Sequence, residues 1–472
     1  MCFHVNMQAV SRRELFLLTL LLILGFSFFT YILTRYPLIY GVDGPYYLIQ
    51  VKSLLEKGQL KYGDPPVAFY IFAFFTLLSG GDITKGIKTA VILFSTLSII
   101  PLYLWARNVS KSAISGFAAA LAYMFSSLYL WLVGNFLKNA VGVFFLYCFI
   151  YELHSLISNG KNIRTLFMAI VFLTLTGATH ALDFGVAMEF LILYMLFAML
   201  VKTTDRLKTD VKILFWTGIL YAFLAPLFFP FFFSDFYKPL GLVSSLGSRE
   251  QPNIVLQTLR ELFDPIKFLA NPRDGIFVLP TLAIGTVLSV YEWRHGRKEA
   301  ALTLATVTTF GITIMLPIPI TPADWIWRVL VMEFIPISFI IGYCFSKIPF
   351  NFKVSAFILL ICLIPISLQT VMMQEVLCPT ISEFEYYEIM RMKLYIPKNA
   401  ILFVDITASY WIEYVTERQI ARQFSPDLWR KYNVMLVIDK KSIFPQYVPP
   451  NAFKIFEGKR FTLYILLPPK MG

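Results

Sequence analysis

The stretch "YGVDGPYYLIQ", residues 40–50, places Asp43 directly before Gly44-Pro45, just past a long apolar run. A carboxylate there has two readings. Asp is a good helix cap and Pro suits a first helical turn, so Asp43 could cap a helix opened by Pro45. It could equally be a general base that takes a proton from a reacting hydroxyl. Other ionisable groups lie within or beside apolar runs, where they are costly and tend to mark function. They are Lys138 in "GNFLKNAVG", His180 and Asp183 in "GATHALDFG", Glu189 two turns further on, and Asp324, Arg328 and Glu333 in "ADWIWRVLVMEF". Each has an ordinary alternative. Arg328 is one turn from Asp324 and could be its i,i+4 partner, and Lys138 could reach for the membrane interface. His180 could simply bond within its turn, and Tyr46 and Tyr47 could be interfacial belt aromatics.

Taken together, a carboxylate beside cations at headgroup level suits a lipid-linked phosphate donor. Lys138, His180 and Arg328, with Trp327 beside Arg328, would hold the donor phosphate and its lipid, Arg being able to engage phosphate bidentately. Asp43 would accept the proton of an attacking hydroxyl. Tyr46, Asp183 and Glu189 are the candidates for touching substrate.

The elements that would carry these groups are membrane spans. Of the 472 residues 57% are hydrophobic and only 15% are charged, against about 25% charged in soluble domains. Runs such as "FLLTLLLILGFSFFTYIL" and "FILLICLIPISLQTVMM" are near the ~20 residues needed to cross a bilayer core. Spans are predicted near 14–34, 84–106, 113–133, 137–157, 164–180, 182–201, 211–232, 276–293, 300–318, 325–345 and 352–374. Residues 65–81, "PPVAFYIFAFFTLLSGG", have a short apolar core behind Pro65-Pro66. If they do not cross, Arg12/Arg13, Arg107/Lys111, Lys161/Arg164, Lys202/Arg206/Lys208, Arg294/Arg297/Lys298 and Lys347/Lys353 all fall in cytoplasmic loops, as the positive-inside rule requires. The expected fold is therefore a polytopic α-helical membrane protein of about eleven spans over residues 1–374. Its N-terminus is inside, and two outer loops cover 35–83 and 233–275. The first run is too long for a signal-peptide core and lacks a small-residue cleavage site, so it reads as an uncleaved anchor.

Residues 375–472 read as a soluble, extracytoplasmic α/β domain. "AILFVD" (400–405) and "VMLVID" (434–439) are strand-length apolar runs, "ASYWIEYVTERQIARQF" (408–424) has helical periodicity, and "FKIFEGKRFTLYILL" suggests a hairpin turning at Glu457-Gly458. No glycine-rich phosphate loop joins strand to helix, which argues against nucleotide binding. The net charge of +12 is accounted for by the basic loops, so no nucleic-acid partner is expected. Cys2, Cys148, Cys344, Cys362 and Cys378 form no CxxC pair, and neither a disulfide framework nor a zinc site is expected.

"GVDGPYYLIQVKSLLEKGQL" and "DPPVAFYIFAFFTLLSGGDITKGIKTAVILFSTLSIIPLYLWARNVSK" resemble the start of a GT-C glycosyltransferase. That class uses polyprenyl- or dolichyl-phosphate sugars and includes protein O-mannosyltransferases, aminoarabinose transferases and oligosaccharyltransferase catalytic subunits. "LKNAVGVFFL", "LTGATHALDFG" and "WIWRVLVMEFIPISF" are similar to segments of archaeal and bacterial members. The resemblance implies inverting transfer at the outer face of a prokaryotic plasma membrane. In it Asp43 matches the first-loop aspartate and Arg328 a phosphate-contacting arginine. The tail has no WWDYG-like motif, so oligosaccharyltransferase activity is not implied. After the third span "GNFLKN" carries Asn135 and Asn139 where a second acidic motif would stand. Metal-independent transfer is therefore expected, with Asp183 or Glu189 the candidates if a divalent ion is held. The acceptor can be a glycan, a lipid or a protein. The competing classes are a transporter or lipid flippase, which would show paired repeats and interrupted helices at the midplane, and a non-catalytic binding protein whose tail docks a partner.

Overall fold

The computed structural model describes residues 11–158, 163–200, 205–228, 275–315, 328–347, 377–404, 406–421, 427–442 and 447–468. The predicted span 352–374, the outer loop 233–275, Asp324 and Trp327 lie outside them.

Helix α1 (Arg12–Thr34) opens with a capping box between Ser11 and Glu14. Residues 35–83, expected as an outer loop, hold α2 (Gly44–Lys57) and α3 (Val67–Leu78). At 12 residues α3 is roughly 18 Å long, too short to cross a hydrocarbon core of about 30 Å. It packs closely on α4 (Ile83–Leu97), where Gly86 meets the Thr76 backbone with no room for a side chain.

The expected span 84–106 is found as one run, Ile83–Ser110, with an irregular turn at Ser98. Helix α4 meets α5 (Ile99–Ser110) at Ser98, because Pro101 has no N–H and its ring crowds the Leu97 carbonyl one turn back. The span 113–133 is two helices, α6 (Ala113–Phe125) and α7 (Ser127–Asn135), bent by 51°. Ser126 caps the new helix by accepting from the Tyr129 amide. Helices α8 (Leu137–Ser158), α9 (Ile163–Thr179), α10 (Ala181–Leu200), α11 (Asp205–Phe228), α12 (Gly275–Arg294), α13 (Lys298–Met315) and α14 (Phe334–Phe345) fall where spans were expected. Among the described residues five helices are long and apolar enough to cross a membrane, and the bent α6–α7 pair makes a sixth. The bundle core is aromatic, with Trp105 stacked on Phe339 at 4.0 Å and Tyr123, Tyr129 and Tyr147 gathered on Phe334.

The two ends of the bundle differ. At one end Arg107 bonds Glu14 at 2.9 and 3.2 Å, and Lys347 and Arg297 both reach Glu292. Gly342 packs on Ser115 and Ala119, which brings the end of α14 to the start of α6 and so to the same end. The other end holds the close of α7, the start of α8, the α9–α10 turn and the soluble tail.

That tail carries α15 (Glu383–Lys393), α16 (Ile406–Thr416) and a five-stranded sheet in the order β2-β1-β3-β5-β4. Here β1 is Ala400–Val404, β2 Gln419–Ala421, β3 Asn433–Asp439, β4 Ala452–Glu457 and β5 Phe461–Leu466. Strand β1 runs parallel to both β2 and β3, and β3–β5 and β5–β4 are antiparallel. The helix predicted to run to residue 424 stops at Thr416. Glu417 adopts φ +61°, and residues 419–421 leave the helix to pair with β1. Buried Arg460 ties the sheet to α15, making two 2.9 Å bonds to Asp439 and one of 3.1 Å to Glu385.

The tail is docked on residues 35–83. Lys52 pairs with Glu417 at 2.6 Å, Lys61 pairs with Glu413, and Gly41 bridges to Pro379. Gly41 is pinned between bundle and tail. It adopts φ +72°, and a β-carbon there would lie 2.7 Å from both the Asn135 Cα and the Gly134 carbonyl. Gly58 has the same φ but nothing within 4 Å.

Gly41→Ala should therefore destabilise by more than the ~1 kcal/mol of left-handed strain, whereas Gly58→Ala should cost only that strain. Equal melting temperatures for the two variants would show that the Gly41 contact carries no weight. With the native cysteines replaced, an impermeant maleimide on intact cells should label a Lys440→Cys variant and not a Lys298→Cys variant. Labelling of both from outside would contradict the two-ended arrangement.

Candidate active site

Asp43 occupies the N-cap position of α2, but its side chain makes no capping bond and its backbone is already helical. Its carbonyl accepts the Tyr47 amide at 3.1 Å, closing the first turn. The side chain is half-buried beside exposed Val42. Helix α2 is buried on nearly every face from Gly44 to Leu54, because the bundle lies on one side of it and the tail on the other.

Two residues that sequence reasoning did not assign to the site lie at its centre. Asp64, directly before Pro65-Pro66, accepts Lys138 Nζ at 2.5 Å on Oδ1 and the Tyr46 hydroxyl at 2.9 Å on Oδ2. The Lys138 side chain is 5% exposed and its ammonium also lies over the Phe69 ring, 5.6 Å from the centroid. The second is Tyr47. Burial pushes its phenol well above the ordinary range, the charges of Asp43 and Asp64 push the same way, and Arg328 and the Lys138 backbone oppose them. The charges of Asp43, Asp64 and Arg328 thus all reach the buried Tyr47, which meets Lys138 through the lysine's backbone. The only sequence signal for Asp64 is a charge ahead of a Pro-Pro helix start. Nothing local distinguishes it from a turn residue.

Tyr46, expected to meet substrate, is 3% exposed. Its hydroxyl is enclosed between Asp64, to which it donates, and Gln50, from which it accepts at 2.9 Å. The Arg328 guanidinium lies over Phe136, 5.1 Å from the ring centroid and two residues before Lys138. Asn139, next to Lys138, joins a second group: its amide reaches His180 Nδ1 at 2.9 Å and Asp183 Oδ1 at 3.3 Å. His180 Nδ1 lies 3.6 Å from Asp183 Oδ2. Asp183 is fully buried against Gly142, where a side chain would displace its carboxylate. The first turn of α8 thus connects the Asp64 cluster to the His180–Asp183 pair. Glu189 lies six residues along α10 and about 9 Å further on. The structure does not bring it to the Tyr47 cluster.

Among the described residues no group of three or more His, Cys, Asp or Glu is placed to hold a metal ion. The place a cation would take beside Asp64 is filled by the Lys138 ammonium.

A model of the dolichyl-phosphate-mannose-protein mannosyltransferase family matches residues 63–229. No curated protein matches the chain in sequence. Among solved structures, the oligosaccharyltransferase of Archaeoglobus fulgidus in complex with Zn and sulfate superposes with a TM-score of 0.61 at 14% identity, over 89% of this chain and 68% of that one. The same organism's archaeal oligosaccharyltransferase AglB with an inhibitory peptide and a dolichol-phosphate gives 0.59 at 12%, over 91% and 70%. ArnT from Cupriavidus metallidurans bound to undecaprenyl phosphate gives 0.60 at 11%, over 94% of this chain and 97% of that one. In fold the chain is thus similar to these membrane transferases over most of its length, and its match to the mannosyltransferase family model is confined to residues 63–229.

Proposed function

We propose that the chain is a membrane-embedded glycosyltransferase that moves a sugar from a polyprenyl- or dolichyl-phosphate donor to an acceptor hydroxyl at the outer face of the membrane. One observation carries the reading: an aspartate that does not cap its helix lies at the same end of the bundle as a buried lysine held by Asp64 and an arginine stacked over Phe136, opposite the basic loops. The relatives add weight, since two of them are complexes with a dolichol-phosphate and with undecaprenyl phosphate.

The chemistry follows from the side chains. Lys138 has three N–H donors, so it can keep Asp64 and still offer a bond to an incoming phosphate. Arg328 adds a planar fork that suits a second phosphate oxygen. Both cations stabilise the charge that builds on the leaving phosphate as the sugar carbon–oxygen bond breaks. Asp43, with no cap to maintain, takes the acceptor's proton while the acceptor oxygen bonds to the sugar carbon. This single displacement inverts that carbon. These steps are written with side chains of the chain alone. The buried His180–Asp183–Asn139 group supports the turn of α8 that carries Lys138. On this reading the tail is extracytoplasmic and arches over the donor, and a prokaryotic plasma membrane is its setting.

Purified chain in vesicles, given radiolabelled polyprenyl-phosphate sugar, should transfer label to an acceptor. Label that crosses the bilayer still joined to its lipid would establish a flippase instead. Arg328→Lys should keep the fold but lose most of the transfer, since an ammonium cannot reproduce the fork. Near-parental transfer in that variant would reduce Arg328 to a helix ion-pair partner.

A further inference from the structure

The tail does more than cover residues 35–83. Glu413, buried at 4% side-chain exposure, accepts the Tyr62 hydroxyl at 2.5 Å and pairs with Lys61. Lys61 and Tyr62 belong to the short segment that delivers Asp64. The backbone of Tyr62 is held on both sides by fully buried Gln50, whose amide donates to the Tyr62 carbonyl at 2.8 Å and accepts its N–H at 2.9 Å. The Tyr62 ring stacks on Tyr46 at 5.9 Å, and Tyr410 of α16 packs on the other side at 5.3 Å. Tyr46 then bonds Asp64, and Asp64 bonds Lys138. Only Gly63, the residue best able to swing, separates the pinned Tyr62 from Asp64.

We propose that Glu413 is a positioning residue that acts from the soluble tail through Tyr62 and Tyr46 to hold the Asp64–Lys138 pair. The functional half of this proposal rests on the reading that Lys138 receives a lipid phosphate. Lys138 has four flexible bonds and reaches its place because Asp64 waits there. If residues 61–64 loosen, Asp64 drifts and the ammonium loses its fixed aim. A second tail contact provides the control. Glu417 pairs with Lys52 at 2.6 Å and Lys393 at 3.5 Å, and it touches none of residues 61–64 in these pairs. Simple docking would make Glu413 and Glu417 equivalent; positioning makes them different.

The test uses the full chain in nanodiscs and two readouts. The first is amine-specific labelling of Lys138 by mass spectrometry, which needs no ligand. Glu413→Ala should raise Lys138 labelling several-fold, while Glu417→Gln leaves it at the parental level. Glu413→Gln, which keeps an acceptor for the Tyr62 hydroxyl, should restore near-parental protection. Tyr62→Phe removes the same hydroxyl bond with the ring in place, so it decides the matter where Glu413→Ala does not fold. The second readout is binding of undecaprenyl monophosphate, which should weaken ~fivefold in Glu413→Ala, the effect of one net hydrogen bond. Unchanged Lys138 labelling in both Glu413→Ala and Tyr62→Phe, or an equal rise in Glu417→Gln, overturns the proposal. A parental chain that fails to bind the phosphate overturns the donor reading instead, and the labelling still decides the role of Glu413.

Discussion

Lys138 and Asp64 are 74 residues apart in sequence and 2.5 Å apart in space. Their ion pair ties residues 35–83 to the mouth of the helix bundle. Removing one partner of a buried pair leaves an uncompensated charge and costs about 3–5 kcal/mol, so neither residue can be exchanged without answering for the other. The Tyr46 hydroxyl and the Phe69 ring complete the surroundings of the pair. The arrangement also explains why α2 is buried on nearly all faces although it is not a span: it is the beam between the bundle, the pair and the tail. Gly41 and Lys88 brace the entry to that beam, Lys88 by bonding the Tyr36 carbonyl at 2.5 Å.

Much of this is legible in the residue pattern. The apolar runs and the one-sided basic loops announce a polytopic bundle, and α3 is as short as its composition requires. The irregular turn at Ser98 and the break at Ser126 are not legible. At Ser98 the proline sits only three residues into the new helix, and at Ser126 a serine cap interrupts a run apolar enough to continue. The tail helix ends earlier than its pattern predicts because residues 417–424 remain amphipathic, while the edge of β1 attracts residues 419–421 into the sheet. Tertiary pairing outweighs local propensity there.

The site shows the same division. Asp43, Lys138 and Arg328 stand out because charge in an apolar setting is conspicuous, and the structure places all three at one end of the bundle. Asp64 gives no such signal, since an acidic residue before Pro-Pro is an ordinary helix boundary and its partner is far away in sequence. Tyr46 is buried and bonded to Asp64 and Gln50. An aromatic beside a catalytic candidate suggests substrate contact, yet its hydroxyl is enclosed between Asp64 and Gln50. Only a structure reveals that kind of support.

On the proposed reading, transfer turns on Asp43. At an N-cap position without a capping bond, its carboxylate does not serve the helix that it precedes. Asn is nearly the same shape and caps helices as well as Asp does, so Asp43→Asn separates base from turn residue. The purified variant should melt with the parent and bind undecaprenyl monophosphate as tightly, while sugar transfer falls by about 10² to 10⁴, the usual contribution of a general base. Transfer at the parental rate would contradict the role assigned to Asp43 and leave it a structural residue of the turn.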